Sequence, residues 1–176
     1  LPARLAGNYF RLGQNKDSTE KLLQAEVGLQ EIRAEQGDRI DKNWLARIYY
    51  MMGMVSTNQL SVENFKLTLE SLQVLQKFSL YSMEQESPVW SGLAGESLKQ
   101  NYRDLVQLTE QVPLNRALDR SAALRQQQDQ RALMAGMILE NIQKLKVLRS
   151  PEKSDGVFVK EFFKSLSVFS QRLNQQ

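Results

Sequence analysis

The sequence contains no cysteine and no histidine. The absence of cysteine excludes disulfides, thiolate nucleophiles and zinc sites with cysteine ligands. The absence of histidine removes the most common general base and the most common metal ligand in proteins. Catalytic centres of the Ser-His-Asp or Cys-His type therefore cannot be built from this chain alone.

Glycine and proline are also scarce, with 9 and 4 residues in a chain of 176. So few helix-breaking residues favour long helices over a β-sandwich, which needs a turn about every 8–12 residues. The length fits one domain, and the 41% hydrophobic and 24% charged residues are ordinary for a globular protein. We therefore expect a single helical domain over residues 1–176, with a possible subdivision near residues 85–95, where Pro88, Gly92 and Gly95 lie.

Long apolar runs are missing as well. The longest, Leu45–Val55, is interrupted by Arg47 and Gly53 and is shorter than the roughly 18 residues of a membrane span. No basic segment precedes an apolar one at the start of the chain, so the sequence shows no signal peptide. Because the chain begins with Leu1 and not with Met, we expect a fragment of a larger protein whose membrane contacts, if any, lie outside it.

Apolar side chains recur every three or four positions along most of the chain, as they do in helices that bury one face. Leu22, Ala25, Leu29 and Ile32 show this spacing clearly. The pattern predicts an all-α bundle of six to seven helices without a sheet. The expected helices lie near residues 2–13, 17–36, 41–56, 61–83, 98–112, 115–149 and 157–173. The helix over 115–149 would span about 50 Å and would make the bundle elongated.

The run of tyrosine and methionine that starts at Tyr49 has the most unusual local composition in the chain. Methionine suits surfaces that repack around varied partners, and tyrosine offers an apolar ring with a polar tip. The functional hypothesis is a pocket wall for a small ligand, formed by Trp44, Tyr49, Tyr50 and Met52. The alternative is plain core packing, since a helix that is apolar on nearly all sides is usually buried.

The last predicted helix carries a phenylalanine-rich face formed by Phe158, Phe162, Phe163 and Phe169. Phe162 and Phe163 are adjacent, so both cannot lie at the centre of one narrow stripe. We expect this face to bind a protein partner. If it does, replacing Phe163 with glutamate should abolish partner binding and leave the monomer stable, whereas a loss of stability would place Phe163 in the core.

Other chemistry has little support in the sequence. No glycine-rich phosphate loop is present, and no metal or cofactor is expected. The carboxylate pairs Asp38/Asp41 and Glu84/Glu86 are interpreted as helix capping and as solvated surface. Basic side chains outnumber acidic ones over residues 113–176, but they are dispersed and follow no nucleic-acid-binding motif. We therefore expect no enzyme and no nucleic-acid partner.

Two classes of function remain. The first is a non-catalytic binding or signal-input module, such as the extracytoplasmic ligand- or protein-sensing bundle of a bacterial receptor, by analogy with other helical bundles. The second is a protein–protein adaptor, such as a secretion chaperone or an assembly scaffold. Either could form a homodimer. The sequence leaves the compartment open, with the periplasm slightly preferred over the cytoplasm.

Overall fold

The computed structural model describes residues 15–56, 60–149 and 156–175. Within these ranges the chain forms six α-helices and no strand, which confirms the predicted all-helical class. The helices are α1 (Asn15–Gln36), α2 (Lys42–Gly53), α3 (Phe65–Met83), α4 (Trp90–Glu110), α5 (Arg120–Leu148) and α6 (Val157–Leu173). The short helix expected near residues 2–13 lies outside the described residues.

The chain divides into two compact units. Unit 1 comprises Leu1–Gln59 and Glu70–Leu98, and unit 2 comprises Leu60–Leu69 and Lys99–Gln176. Helices α3 and α4 each contribute to both units. The organisation as a single domain and the subdivision near residues 85–95 stay predictions.

The core of unit 1 is formed by α1, α2 and α3. Leu22 and Leu29 are buried on the predicted apolar face of α1, with Ala25 and Ile32 beside them. Helix α2 contributes Leu45, Tyr49 and Met52 to this cluster, and α3 contributes Phe78. Helix α2 begins at Asp41, whose carboxylate accepts a hydrogen bond from the Asn43 amide at 2.9 Å, which confirms the predicted cap.

Helix α4 begins at Trp90, eight residues earlier than the spacing of apolar residues suggested. The reason is that Ser87-Pro88 starts this helix and does not interrupt one. The Ser87 side chain accepts a hydrogen bond from the Trp90 amide at 3.3 Å, and a proline needs no amide partner in the first turn. Gly95 therefore lies inside the helix. A Cβ atom at this position would be 3.3 Å from the sulfur of Met83 on α3, so glycine allows the two helices to pack closely there.

A network of buried serines connects the end of α3 to α2 and to the start of α4. Ser82 donates its hydroxyl hydrogen to the Ala46 carbonyl at 2.8 Å. Ser91 donates to the Ser82 carbonyl at 2.6 Å and accepts from the Ser87 amide at 2.9 Å. Because buried polar groups are costly when unpaired, these bonds fix where α3 must end relative to α2.

In unit 2, two phenylalanine residues of α6 pack against Tyr102 of α4. Phe162 and Phe169 lie with their ring centroids 6.1 Å and 5.7 Å from that of Tyr102. Phe162, Phe163 and Phe169 are all buried, and Phe158 is half-buried. The expected exposed phenylalanine face is therefore wrong for these three residues, because α6 uses this face to pack in the core.

Helix α5 is the long helix expected near residues 115–149, although it begins at Arg120. Its 29 residues span about 44 Å. Asp119 caps its start by accepting hydrogen bonds from the Ser121 and Ala122 amides at 3.0 Å and 2.9 Å. The hydrogen bond from the Ala122 amide, together with those from the side chain and the amide of Ser121, lowers the pKa of Asp119 below its usual value.

Polar side chains near the start of α5 donate hydrogen bonds to backbone carbonyls at the end of α4 and just beyond it. Gln127 donates a side-chain hydrogen bond to the Val112 carbonyl, and Arg131 donates one to the Glu110 carbonyl at 2.7 Å. Backbone carbonyls in the last turn of a helix have no partner inside that helix. Arg131 thus supplies a partner for the last residue of α4, and Gln127, four residues earlier on α5, supplies one for the segment just after it.

Replacing Phe163 with glutamate should destabilise unit 2. The ring is only 4% exposed, and losing a buried phenylalanine costs about 3–5 kcal/mol even before a carboxylate is buried. We expect a fall in the melting temperature of at least about 6 °C, measured by circular dichroism. The matched control is Val168→Glu on the same helix, where the native side chain is 49% exposed and the change should be small. Equal melting temperatures for the two variants would contradict the packing described here.

Candidate functional site

Unit 1 contains a cleft of about 180 Å³ that is lined almost entirely by polar and aromatic side chains. Helices α1, α2 and α3 contribute to it, and so does the turn that follows α3. The lining residues are Glu26, Gln30 and Arg33 from α1, Tyr49 from α2, Tyr81 from α3, and Glu84 and Gln85 from the turn that follows α3.

The α1 residues of the cleft share one side of the helix because they are four and three positions apart. This side adjoins the buried stripe that contains Leu22 and Leu29. The cleft therefore lies at the edge of the unit 1 core, where charged side chains border the apolar interior. Polar groups at such a position reach solvent through the cleft and still pack their stems against the core.

Tyr49 connects the core to the cleft. Its side chain is buried, and its ring centroid lies 5.2 Å from that of Tyr81 and 6.5 Å from that of Phe78. Its hydroxyl accepts a hydrogen bond from Nη1 of Arg33 at 3.0 Å. A buried tyrosine normally finds a partner for its hydroxyl, and here that partner is a cation on the neighbouring helix.

Glu26 is held at the opposite end of the α1 segment by an ion pair. Lys77 of α3 places its Nζ 2.7 Å from the Glu26 carboxylate and 5.2 Å from the centre of the Phe78 ring. Partly exposed ion pairs contribute little to stability. The effect of the ion pair between Lys77 and Glu26 is to direct the Glu26 carboxylate towards α3.

The turn after α3 positions the remaining acidic and amide groups. The helix ends with the Glu84 amide bonded to the Leu80 carbonyl at 2.9 Å and the Glu86 amide bonded to the Met83 carbonyl at 3.1 Å. Glu86 adopts a left-handed backbone conformation, with φ of 54°, a common way to end a helix. Gln85 donates its side-chain amide to the Tyr81 carbonyl at 3.1 Å.

Of the four residues predicted to bind a ligand, only Tyr49 lines this cleft. Met52 is fully buried in the core, and Trp44 is 40% exposed. Tyr50 is half-buried, with its ring centroid 5.8 Å from that of Trp90. The structure therefore does not bring the four together as one pocket wall, and a ligand-binding role for Tyr49 stays a prediction.

The charged and amide residues of the cleft were not identified from the sequence, apart from Glu84, which was interpreted as solvated surface. Among the described residues, no group of three or more acidic side chains is arranged to hold a metal ion. No helix in the described ranges is both long enough and apolar enough to cross a membrane. The cleft brings together charged, hydrogen-bonding and aromatic groups.

No protein-family model, curated protein or solved structure matches this chain.

The bond between Arg33 and Tyr49 can be tested with a double-mutant cycle. Tyr49→Phe removes the acceptor and Arg33→Gln shortens the donor, and each should lower the free energy of unfolding by about 1 kcal/mol. Because both changes remove one interaction, their effects should not add. Denaturant titrations followed by circular dichroism measure this.

The matched control for this cycle is Tyr50→Phe. Tyr50 is the next residue on α2, and its hydroxyl makes no hydrogen bond to any residue that the structure describes. We expect this change to be nearly neutral. Additive effects of the two cleft substitutions would show that the hydrogen bond does not contribute to stability.

Proposed function

We propose that this chain is a non-catalytic binding module whose ligand is a small polar molecule held in the cleft of unit 1. The observation that carries the proposal is the convergence of charged, amide and phenolic groups from three helices on one concave surface. Ligand sites in proteins combine a concave shape with a few convergent polar groups, and in helical proteins they lie between helices.

The size of the cleft limits the ligand. A cavity of about 150 Å³ in a protein can hold a benzene molecule. A cleft of about 180 Å³ therefore suits a molecule of roughly six to ten non-hydrogen atoms, part of which can extend into solvent. Peptides and nucleotides exceed this size, so the ligand belongs among the smaller metabolites.

The lining also supports ligand-dependent signalling. Arg33 and Tyr49 belong to different helices and are joined through their side chains. A ligand that competes for Arg33, or that reinforces its bond to Tyr49, would change how strongly α1 is held to α2. Binding can shift a conformational equilibrium only through such differential contacts. The finer form of our proposal is a sensory domain of a bacterial receptor, located outside the cytoplasm.

A second candidate, a protein–protein adaptor, is favoured by a different surface of unit 1. The guanidinium of Arg47 lies 5.4 Å from the centre of the Trp90 ring, which also packs against Tyr50. Val89, next to Trp90 on the chain, and Leu93, three residues after Trp90, are exposed. Tryptophan, tyrosine and arginine are the residues that most often dominate binding energy at protein interfaces.

The receptor form of the proposal predicts what flanks this chain in its parent protein. An extracytoplasmic input domain must be connected to the cytoplasm, so we expect membrane-spanning segments of about 20 apolar residues on both sides of residues 1–176. The full coding sequence would show them. Their absence on both sides would overturn the receptor form and leave the binding module itself unaffected.

Ligand binding can be tested by thermal shift against a library of small polar metabolites. A ligand at a hundred times its dissociation constant stabilises a protein by about 2.7 kcal/mol. For a chain of this size that corresponds to a rise in melting temperature of about 5–10 °C. We expect at least one compound to produce such a rise.

The variant Arg33→Gln should remove this shift. The matched control is Arg39→Gln, which changes an exposed arginine that does not line the cleft and should keep the shift. A library without any stabilising compound would overturn the small-ligand proposal and favour the adaptor. Shifts that persist in Arg33→Gln would place the site elsewhere.

A further inference from the structure

Helix α2 and the start of α4 together form an exposed aromatic and apolar surface of unit 1, here termed the Trp90 surface. Its members are Trp44, Arg47 and Met51 of α2, and Val89, Trp90 and Leu93 at the start of α4. We propose that a second copy of this chain docks on the Trp90 surface, related to the first copy by a two-fold axis. This inference goes beyond the proposed function, because the surface is separate from the cleft and the partner is a protein.

The Trp90 surface is continuous from one helix to the other. The guanidinium of Arg47 lies 5.4 Å from the centre of the Trp90 ring, which joins α2 to α4 at the middle of the surface. Trp44 and Met51 come three positions before and four positions after Arg47, so these side chains share one side of α2. Leu93 comes three positions after Trp90 and extends the surface along α4.

Four apolar side chains of the Trp90 surface are between 38% and 58% exposed: Trp44, Met51, Val89 and Leu93. Single exposed apolar residues are normal, but a continuous group of them marks an interaction site. Tryptophan, methionine and arginine are also enriched where protein interfaces are most deeply buried. Covering these side chains with a second protein surface would remove them from water, which favours association.

Arg47 gives this surface a charge that is not paired inside the protein. Beyond its contact with the Trp90 ring, it has no hydrogen bond or ion pair with any residue that the structure describes. A guanidinium that lies against a ring keeps the N–H donors at its edge available for a carboxylate. The partner should therefore bring an acidic group to Arg47.

The distribution of charge identifies a second copy as the partner. Helix α2 contains Lys42 and Arg47 and no acidic residue, and the Asp41 carboxylate just before it is bonded to the Asn43 amide. Residues 84–98, which lead into α4 and form its first half, contain three glutamates and no basic residue. The Trp90 surface thus has a basic half and an acidic half side by side.

Two-fold symmetry makes these halves complementary. In a symmetric dimer each copy presents the same surface, so the basic half of one copy lies over the acidic half of the other. Unlike charges then meet on both sides of the axis. A partner with charges of one sign only would be attracted by one half and repelled by the other.

Glu86 is the carboxylate that we assign to Arg47 of the second copy. It is exposed and lies three residues before Val89. Its side chain makes no hydrogen bond or ion pair with the residues that the structure describes, whereas Glu84 and Glu96 both have interactions within the chain. Glu86 is therefore the glutamate of the acidic half that can pair across the interface without giving up an internal contact.

The two halves of the Trp90 surface are held in a fixed arrangement before docking. The Ser87 hydroxyl donates a hydrogen bond to the side-chain oxygen of Asn43 on α2 at 2.6 Å. The Ser82 hydroxyl donates one to the Ala46 carbonyl, also on α2, at 2.8 Å. A surface that is ordered before binding loses less conformational entropy when the partner arrives.

The extent of the Trp90 surface limits the strength of the dimer. Stable interfaces bury about 800 Å² on each partner, and smaller ones belong to weak or transient complexes. Because six side chains form this surface, we expect a reversible dimer with a dissociation constant of roughly 10–100 μM.

Sedimentation equilibrium of the whole chain tests self-association over concentrations from tenfold below to tenfold above this range. We expect a monomer–dimer equilibrium that weakens as sodium chloride is added, because exposed charges are screened by salt. A wild-type chain that stays monomeric at all these concentrations would overturn the inference and leave the Trp90 surface to a different protein.

Leu93→Glu tests where the second copy docks. A carboxylate at this exposed position should weaken dimerisation at least about tenfold, because it would be buried beside the acidic half. The matched control is Leu23→Glu on α1, where the native side chain is 59% exposed and lies outside the Trp90 surface. Melting temperatures measured on dilute samples show that both variants are folded. Dimerisation of Leu93→Glu at wild-type strength would place the interface elsewhere.

Two charge reversals test the symmetry of the dimer. Arg47→Glu and Glu86→Arg should each weaken self-association at least about tenfold, because each brings like charges together on both sides of the axis. An equimolar mixture of the two variants restores unlike charges on both sides, so we expect it to dimerise within about threefold of wild type. A purely structural role for Arg47 or Glu86 would not allow this recovery.

The control mixture combines Arg47→Glu with Glu31→Arg, which changes an exposed glutamate of α1 outside the Trp90 surface. Glu31→Arg should dimerise like wild type on its own, and we expect no two-fold match between the reversed Arg47 and its position. If the mixture of Arg47→Glu and Glu86→Arg stays monomeric while each variant is folded, the pairing of Arg47 with Glu86 is overturned.

The dimer and the cleft can fail independently. A monomeric wild-type chain that still binds a small metabolite would overturn this inference alone. A chain that dimerises through the Trp90 surface but binds no metabolite would overturn the proposed ligand alone and support this inference.

Discussion

The hydroxyl group of Tyr49 must be hydrogen-bonded although its ring is buried, and the arrangement of the cleft follows from this requirement. The ring packs with Phe78 and Tyr81 in the core of unit 1, so its polar tip can point only towards the edge of that core. Arg33 supplies the hydrogen bond from α1. One hydrogen bond therefore connects a cation beside a concave surface to the buried core of the unit.

The network of buried serines holds the other side of the cleft, the turn after α3, in place. Ser82 and Ser91 are fully buried, and their hydroxyl groups are bonded to backbone carbonyls. Because these carbonyls belong to α2 and to the end of α3, the turn that carries Glu84 and Gln85 cannot shift freely along α2. Arg33 and the turn after α3 are thus positioned by two separate sets of contacts, the hydrogen bond to the Tyr49 hydroxyl and the hydrogen bonds of the buried serines.

The helices could be predicted from the sequence because each must bury a stripe of apolar side chains. Leu22 and Leu29 show this, and so does the phenylalanine-rich face of α6. The same spacing does not reveal what covers a stripe, so the face of α6 was expected to bind a partner although it packs in the core. Pro88 was interpreted as a break between helices, whereas together with Ser87 it begins α4.

The cleft could not be predicted from the sequence, for a different reason. Its contacts join residues that are 16 positions apart in the case of Arg33 and Tyr49, and 51 apart in the case of Glu26 and Lys77. Local spacing carries no information about such pairs, and a polar residue beside an apolar stripe resembles any solvated residue. Only the position of α1 against α2 and α3 distinguishes these side chains from the rest of the surface.

The way α4 ends affects how unit 2 can assemble. The carbonyl of its last residue, Glu110, and that of Val112 just beyond it accept hydrogen bonds from the side chains of Arg131 and Gln127, which come 21 and 15 residues later in the chain than their acceptors. These two hydrogen bonds cannot form until the chain has been synthesised as far as α5. The end of α4 and the first half of α5 should therefore become ordered together, as one cooperative step in folding.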